Sequence, residues 1–218
     1  MLHTKRTTAR LIAIIALALL AVPAGATVTV QNTQADWQAL TTDYFTTLVD
    51  FNTLTKETIY NTADGLTLGG IKFTGDNVDG TYYLVAHDAT QGPSYDWNSG
   101  AYILGPGWGI KYIQATLPAG ITALGVDLMS NPSAHSVTVT LSTGDSYAVG
   151  TSANPNRTFF GFVSDTPVDW VRFSAANSYT VIDNFDYGFV STPEPDTLVM
   201  AGVGLIGLWF ARRLRRRC

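Results

Sequence analysis

The sequence predicts an all-β domain, a β-sandwich of the jelly-roll type with one short helix near its N-terminus. From Thr27 onward the composition is rich in Thr, Ser, Gly, Asn and aromatic residues and contains few strong helix formers. Short runs of β-branched and aromatic residues are separated by Gly, Pro and Asn turns about every 8 to 15 residues. Short strands at this spacing are typical of sandwiches and jelly rolls.

Each element of this sandwich has its own signal. A helix is predicted over 34–42, because Thr33 suits an N-cap and Trp37, Leu40 and Tyr44 are spaced to share one face. Ten strands are predicted from β-rich runs that end at turn residues: 48–52, 66–74, 82–87, 109–117, 122–130, 136–143, 146–150, 158–164, 168–174 and 181–190.

The clearest alternation lies between Ser136 and Leu141. Val137, Val139 and Leu141 are predicted to face the core, and the Ser and Thr residues between them to face solvent. An outward threonine row can bind ice or sugar, but strand propensity alone also accounts for a single row. We therefore interpret it as an ordinary strand.

The N-terminus has the features of a cleavable secretory signal peptide. Lys5, Arg6 and Arg10 precede an apolar run over 11–22, and small residues at 24–26 then suit signal peptidase. A membrane anchor is the alternative, but the run of 12 residues is shorter than the roughly 20 that a span needs. Cleavage after residue 26 leaves a sandwich domain over 27–192, followed by a tail over 193–218.

The tail contains three glycines with the spacing of a dinucleotide-binding turn, Gly202, Gly204 and Gly207. Only 11 residues follow the last of them, and no acidic residue follows Asp196, so the second strand and the ribose ligand of such a site are missing. The uncharged segment 198–211 instead predicts a short transmembrane helix, which crosses the bilayer if the arginines after it snorkel.

The order of features in this tail resembles the PEP-CTERM sorting signal of Gram-negative bacteria. The residues that carry the resemblance are Pro193, Glu194 and Pro195, then the apolar segment, then Arg212, Arg213, Arg215, Arg216 and Arg217. The resemblance implies processing by an exosortase, transient anchoring in the inner membrane, and delivery to the cell surface or an exopolysaccharide matrix. The same pattern is similar to the C-terminal region of ice-binding proteins. An ordinary tail anchor is the alternative.

The body also resembles the jelly-roll, lectin-like domains that precede such tails. The likeness rests on Val49-Asp50-Phe51, the stretch 69–74, the stretch 159–168 and Ile182-Asp183-Asn184-Phe185. These motifs are turn and core patterns, so they imply a fold and not an activity.

Charge and cysteine content exclude several kinds of partner. The body has five basic and 15 acidic residues, a formal net charge of −10, which repels nucleic acid phosphates. The sole cysteine is Cys218, so the body forms no internal disulfide.

Catalytic signatures are missing from the body. There is no Gly-x-Ser-x-Gly elbow and no cysteine nucleophile, and His87 and His135 lack the spacing of zinc ligands. We therefore predict that the protein is not an enzyme. A glycoside hydrolase with two carboxylates remains a less favoured alternative.

Calcium is the one cofactor that the sequence suggests. Asp76, Asn77 and Asp79 cluster oxygen ligands beside a glycine, although a polar hairpin loop is the favoured reading. Asp183 shares strand parity with neighbouring apolar residues and is expected to point toward the core, with Asp50 as a neighbour. Backbone hydrogen bonds are favoured over calcium there.

Sugar binding is suggested by aromatic and polar residues in glycine-rich loops, because sugars need flat apolar faces and polar partners for their hydroxyls. The candidates are Tyr95, Asp96, Trp97, Asn98, Tyr102 and Trp108. The favoured alternative is that both tryptophans cover an edge of the core.

Taken together, these signals predict an exported, non-enzymatic surface or matrix protein with a structural or glycan-contacting role. The alternative is a dedicated carbohydrate-binding module, with or without calcium. Ice binding and glycoside hydrolysis are less favoured. The expected partners are signal peptidase, an exosortase and exopolysaccharide.

Overall fold

A computed structural model describes residues 26–76, 82–87, 102–107, 111–131, 134–152, 156–176 and 178–190. None of the helices in these ranges is long and apolar enough to cross a membrane. Residues 1–25 of the signal peptide predicted over 1–26, and the whole tail helix predicted over 198–211, lie outside the described residues.

The described chain forms a sandwich of two antiparallel sheets with one helix, α1 (Gln34–Leu40), so the predicted jelly-roll-type sandwich is confirmed. In chain order the strands are β1 (Val28–Gln31), β2 (Tyr44–Val49), β3 (Ile59–Tyr60), β4 (Leu66–Leu68), β5 (Ile71–Asp76), β6 (Leu84–His87), β7 (Tyr102–Gly107), β8 (Tyr112–Thr116), β9 (Ala123–Asn131), β10 (Ser136–Leu141), β11 (Ser146–Gly150), β12 (Thr158–Ser164), β13 (Trp170–Ala175) and β14 (Tyr179–Val190).

The two sheets differ in size. The larger sheet has the order β1-β12-β9-β14-β7-β6-β3, and β2 also pairs with β14, beyond the stretch that pairs with β7. The smaller sheet has the order β11-β10-β13-β8-β5-β4. Every pairing between these strands is antiparallel, as expected for a jelly roll.

The core lies between the sheets and is rich in phenylalanine. Phe73 of the smaller sheet packs edge-on against Phe51 and Phe185, with ring centroids 5.3 Å apart in both pairs. The alternation predicted in β10 is confirmed, since Val137 and Val139 are buried there and Thr138 is exposed.

Several predicted strands differ from the observed ones. The predicted strand 66–74 is a hairpin of β4 and β5, because Gly69 (φ +56°) and Gly70 (φ +80°) form a left-handed turn between them. The strand predicted over 48–52 ends at Val49, and Phe51 is buried just beyond it. Strands β1, β3 and β7 were not predicted.

The helix is shorter than predicted because threonine side chains satisfy its last carbonyl groups. Thr33 caps its start by accepting a hydrogen bond from the Asp36 backbone N–H (3.2 Å). At its end the Thr41 hydroxyl donates to the Trp37 carbonyl (3.0 Å), which competes with another helical turn. The predicted shared face is therefore wrong: Trp37 is buried, Leu40 is 44% exposed and Tyr44 begins β2.

A bulge in β14 corrects the predicted direction of Asp183. The register to β9 shifts between Asp183 and Asp186, and Asn184 has φ +46°. The side-chain alternation reverses there, so Ile182 and Phe185 both reach the core between the sheets. Asp183 is buried, but on the outer side of the larger sheet.

Candidate functional site

The outer face of the smaller sheet carries aromatic and polar side chains at regular positions. In β8 the buried residues Ile113 and Ala115 alternate with the more accessible Tyr112, Gln114 and Thr116. In β13 the buried residues Val171, Phe173 and Ala175 alternate with the half-buried Trp170, Arg172 and Ser174. Since a strand presents alternate side chains to opposite faces, the second set in each strand points away from the core.

Strand register brings four of these side chains together. Arg172 lies directly opposite Gln114, while Trp170 lies opposite Thr116. Trp170 and Tyr112 therefore lie on opposite sides of Arg172 along the strand direction. We call the set Tyr112, Gln114, Trp170 and Arg172 the aromatic platform.

The Arg172 guanidinium is held in place by three of its neighbours. Its Cζ atom lies 4.4 Å from the ring centroid of Tyr112 and 4.4 Å from that of Trp170. Its Nε donates a hydrogen bond to Gln114 Oε1 (2.8 Å), and Gln114 Nε2 donates to Thr116 Oγ1 (3.2 Å). Cation–π stacking together with a side-chain hydrogen bond fixes the orientation of the guanidinium plane.

The edges of the platform carry further charged and hydroxyl groups on β5. Lys72 pairs with Thr116 across the β5–β8 ladder, and Asp76 pairs with Tyr112 at the opposite end. The Asp76 carboxylate accepts a hydrogen bond from the Thr74 hydroxyl (2.8 Å). A flat aromatic, cationic and amide surface of this kind can stack on a sugar ring and donate hydrogen bonds to its oxygens.

A second group of charged residues lies on the outer side of the larger sheet. Asp127 Oδ2 accepts hydrogen bonds from Arg157 Nη1 (3.0 Å) and Asn184 Nδ2 (2.8 Å). Next to it on β14, burial raises the pKa of Asp186 to about 6, although a hydrogen bond from the Tyr187 backbone partly opposes the rise. Asp186 Oδ1 is buried and has no hydrogen-bond partner among the described residues.

In the part of the chain that the structure describes, no three or more His, Cys, Asp or Glu side chains lie close enough to hold a metal ion. Asp183 is a buried and Asp186 a half-buried carboxyl group of β14, and burial of Asp186 makes its charge a factor in stability.

The structure separates Asp76 from the other two predicted carboxylates that it describes. Asp76 ends β5 in the smaller sheet, whereas Asp183 lies on β14 of the larger sheet. Asp50 is exposed just after β2, which pairs with β14 up to Val49 opposite Phe185, so the predicted proximity of Asp50 to Asp183 stays a prediction. The Asp183 carboxylate accepts a hydrogen bond from the Asn184 backbone N–H (2.8 Å), a bond of the kind expected there. Tyr102 begins strand β7, so its predicted place in a loop is wrong.

The remaining predicted site residues lie outside the described ranges: Asn77, Asp79, Tyr95, Asp96, Trp97, Asn98, Trp108, Pro193, Glu194, Pro195, Arg212, Arg213, Arg215, Arg216 and Arg217.

The aromatic platform was not among the predicted sites. In the sequence, Tyr112 and Trp170 occupy the alternate positions of two strands that also carry polar residues. The buried residues Ile113 and Val171 occupy the other positions. Large aromatic residues on the solvent side of a sheet are a recognisable pattern, but strand register is needed to show that the two rings meet at Arg172.

Comparison with known proteins identifies the tail. Residues 191–217 match the PEP-CTERM protein-sorting motif, so the predicted sorting signal is confirmed. This motif is typical of exported proteins that carry a membrane-anchored sorting tail. The similarity to the C-terminal region of ice-binding proteins stays a prediction. Among proteins with curated functions, none matches the sequence.

Two solved structures are similar to the chain at low identity. TmCBM61, solved in complex with β-1,4-galactotriose, is 12% identical with a TM-score of 0.32, and the match covers 60% of this chain and 97% of that one. CBM29_1, a family 29 carbohydrate-binding module from Piromyces equi, is 10% identical with a TM-score of 0.34, covering 76% and 91%.

Proposed function

We propose that this chain is an exported, non-enzymatic protein of the bacterial surface or extracellular matrix that binds polysaccharide through its aromatic platform. Signal peptidase removes the leader, an exosortase processes the tail, and the inner membrane holds the protein only until then. The folded body then contacts exopolysaccharide outside a Gram-negative cell. The sorting motif at 191–217 supports the export and processing steps.

The observation that carries the binding role is the stacking of Arg172 on both Tyr112 and Trp170 on the outer face of a sheet. The three groups are already ordered without a ligand, so binding costs little conformational entropy. Half-buried aromatic side chains on a polar face also keep apolar surface that a sugar ring can cover.

The test uses the mature exported protein and a panel of insoluble and soluble polysaccharides. Trp170→Ala and Tyr112→Ala are each expected to weaken binding about tenfold, a loss of about 1.4 kcal/mol, because each change removes one apolar ring face from the sugar. Phe45→Ala is the matched control, because Phe45 is an exposed aromatic residue of the larger sheet. Its binding should equal that of the wild type.

Two results would contradict the proposal: a wild-type protein that binds no polysaccharide, or platform variants that bind as tightly as the control. Trp97→Ala and Trp108→Ala test the loop site suggested by the sequence. If those variants alone lose binding, the loop replaces the platform as the site. If a calcium chelator abolishes binding, the calcium-dependent module predicted from Asp76, Asn77 and Asp79 gains support.

A further inference from the structure

We propose that the aromatic platform selects a carboxylate-bearing polysaccharide, one that contains uronic acid residues, over a neutral one. This inference rests on the proposed function and specifies the ligand of the same site. Only part of the Arg172 guanidinium is hydrogen-bonded by the described residues. The Nε atom is used by Gln114, whereas neither terminal nitrogen has a hydrogen-bond partner among the described residues. An arginine whose two terminal N–H groups are available can bind a carboxylate through two parallel hydrogen bonds.

The protein supplies no such carboxylate from its described residues. Asp76, an acidic residue at the edge of this face, lies across from Tyr112 and accepts a hydrogen bond from the Thr74 hydroxyl. Arg157 and Asp127 form an ion pair on the other sheet. In a body of 15 acidic and five basic residues, Arg172 is thus a cation without an acidic partner on the surface that the structure describes.

A second cation adds to the positive charge of the platform. Thr116 of β8 lies between Lys72 of β5 and Trp170 of β13. Lys72 is therefore two strands away from Trp170 on the same face of the sheet. The body as a whole is acidic, but charges farther away than the Debye length of ~8 Å are largely screened at physiological salt. Arg172 and Lys72 therefore place positive charge at one end of this face, while Asp76 lies beside Tyr112 at the opposite end.

The experiment compares two polymers with the same sugar backbone, polygalacturonate and its fully methyl-esterified form, in which each carboxylate is a neutral methyl ester, on the mature exported protein. The wild type is expected to bind polygalacturonate about tenfold more tightly. Arg172→Gln should remove this preference while leaving binding of the ester measurable. Arg172→Lys should retain part of it, because lysine keeps the charge but offers no paired donors. Lys56→Gln, a basic residue outside the platform, is the control and should bind as the wild type does.

The outcomes separate this inference from the proposed function. Equal wild-type binding to both polymers overturns acidic selectivity and leaves polysaccharide binding intact. An unchanged preference in Arg172→Gln also overturns the inference, because the selective group then lies elsewhere. Binding to neither polymer, or to other polysaccharides alone, contradicts uronate recognition, and the panel experiment above then decides the general role. Unaltered circular dichroism of each variant confirms that it is folded.

Thr27, the first residue of the predicted sandwich domain, is hydrogen-bonded to Asp165. The Thr27 backbone N–H donates a hydrogen bond to Asp165 Oδ1 (2.9 Å), and the Asp165 backbone N–H donates to the Thr27 carbonyl (3.2 Å). These two bonds continue the β1–β12 ladder, in which Val28 lies opposite Ser164. Among the described residues, Thr27 is therefore the first that the sheet holds.

We infer that signal peptide cleavage after Ala26 converts this hydrogen bond into an ion pair. Hydrolysis of the Ala26–Thr27 peptide bond leaves a carboxylate on the leader and an α-ammonium group on Thr27. The nitrogen that contacts Asp165 thereby gains a positive charge next to an acceptor already in place. Maturation therefore strengthens the attachment of the edge strand β1 to β12.

The test measures the titration of the N-terminal amine in the exported protein, whose first residue is expected to be Thr27. In the wild type the pKa of this amine should lie about half to one unit above its value in Asp165→Asn, since an adjacent carboxylate favours the charged amine. Asp169→Asn, an exposed aspartate nearby in sequence, should titrate as the wild type does. A mature N-terminus at another residue, or equal pKa values in the wild type and Asp165→Asn, would overturn the inference.

Discussion

The indole ring of Trp37 lies directly against Gly161. A Cβ atom at Gly161 would lie 2.5 Å from Trp37 Cδ1, and Gly125, its cross-strand partner, also lies under the ring. The Trp37 Nε1 atom donates a hydrogen bond to the Phe162 carbonyl (3.2 Å). The two glycines thus form a slot that lets α1 cover the outer side of the larger sheet.

Gly161→Ala is expected to destabilise the protein by about 1–3 kcal/mol, because the added methyl group forces the indole out of this slot. Urea denaturation measures the loss. Gly150→Ala is the control, since a Cβ atom there meets no atom within 4 Å. The effects of Gly161→Ala and Trp37→Ala on the free energy of unfolding should also be coupled. In a Trp37→Ala background, Gly161→Ala should destabilise the protein much less. Equal effects of the two glycine substitutions would contradict this account of the slot.

The turn between β4 and β5 should tolerate substitution poorly at Gly69. Its positive φ alone costs about 1–2 kcal/mol for alanine, and an added Cβ would lie 2.5 Å from Val49 Cγ2. Gly144→Ala has the strain of a positive φ but no contact within 4 Å. Thermal unfolding should therefore show a larger loss for Gly69→Ala than for Gly144→Ala. Similar losses of thermal stability in the two variants would contradict this expectation and would mean that the Val49 side chain moves to make room for the added methyl group.

Asp186 should make stability depend on pH between about 4 and 6. Its folded pKa of about 6 lies above the ordinary value of 3.8, so the folded state binds the proton more tightly than the unfolded state. Stability is therefore highest below pH 4 as far as this group is concerned, and it falls as the pH rises through 6. The shift corresponds to about 3 kcal/mol, which solvent screening of this half-buried group reduces to about 1–2 kcal/mol.

The check is a series of urea titrations from pH 4 to pH 8 on the wild type and Asp186→Asn. The variant should be more stable than the wild type at pH 8 and equal to it at pH 4, because asparagine carries no charge to bury. Asp64→Asn, an exposed turn residue, should follow the wild type throughout. A difference between Asp186→Asn and the wild type that does not change with pH would show that charge burial is not its cause.

The sorting tail should be absent from the mature protein. Mass spectrometry of the exported protein is expected to find C-terminal peptides that end near Pro193 to Pro195, as processing at the Pro-Glu-Pro sequence implies. Arginine-to-glutamine changes in the cluster after residue 211 should leave more unprocessed protein in the inner membrane. Recovery of Cys218 on the surface-exposed protein would contradict removal of the tail.

Local sequence patterns predicted much of the sandwich. The alternation in β10 and the bounds of β11 (Ser146–Gly150) and β12 (Thr158–Ser164) agree with prediction, because burial on one face imposes a period of two. Edge strands such as β1 and β3 were not predicted, because they are short and little of their side-chain surface is buried. The bulge at Asn184 reversed the predicted direction of Asp183, and strand propensity carries no signal for such a bulge.

By itself, the sequence determined the fold class, the acidic character of the body and the sorting signal at 191–217. These properties reside in composition and in local order along the chain. Tertiary structure alone decided that Tyr112, Arg172 and Trp170 meet on one face and that Asp165 accepts the N–H of Thr27. The physical reason is register: pairing between strands far apart in sequence sets which side chains are neighbours, and a shift of one residue would turn them to the opposite face.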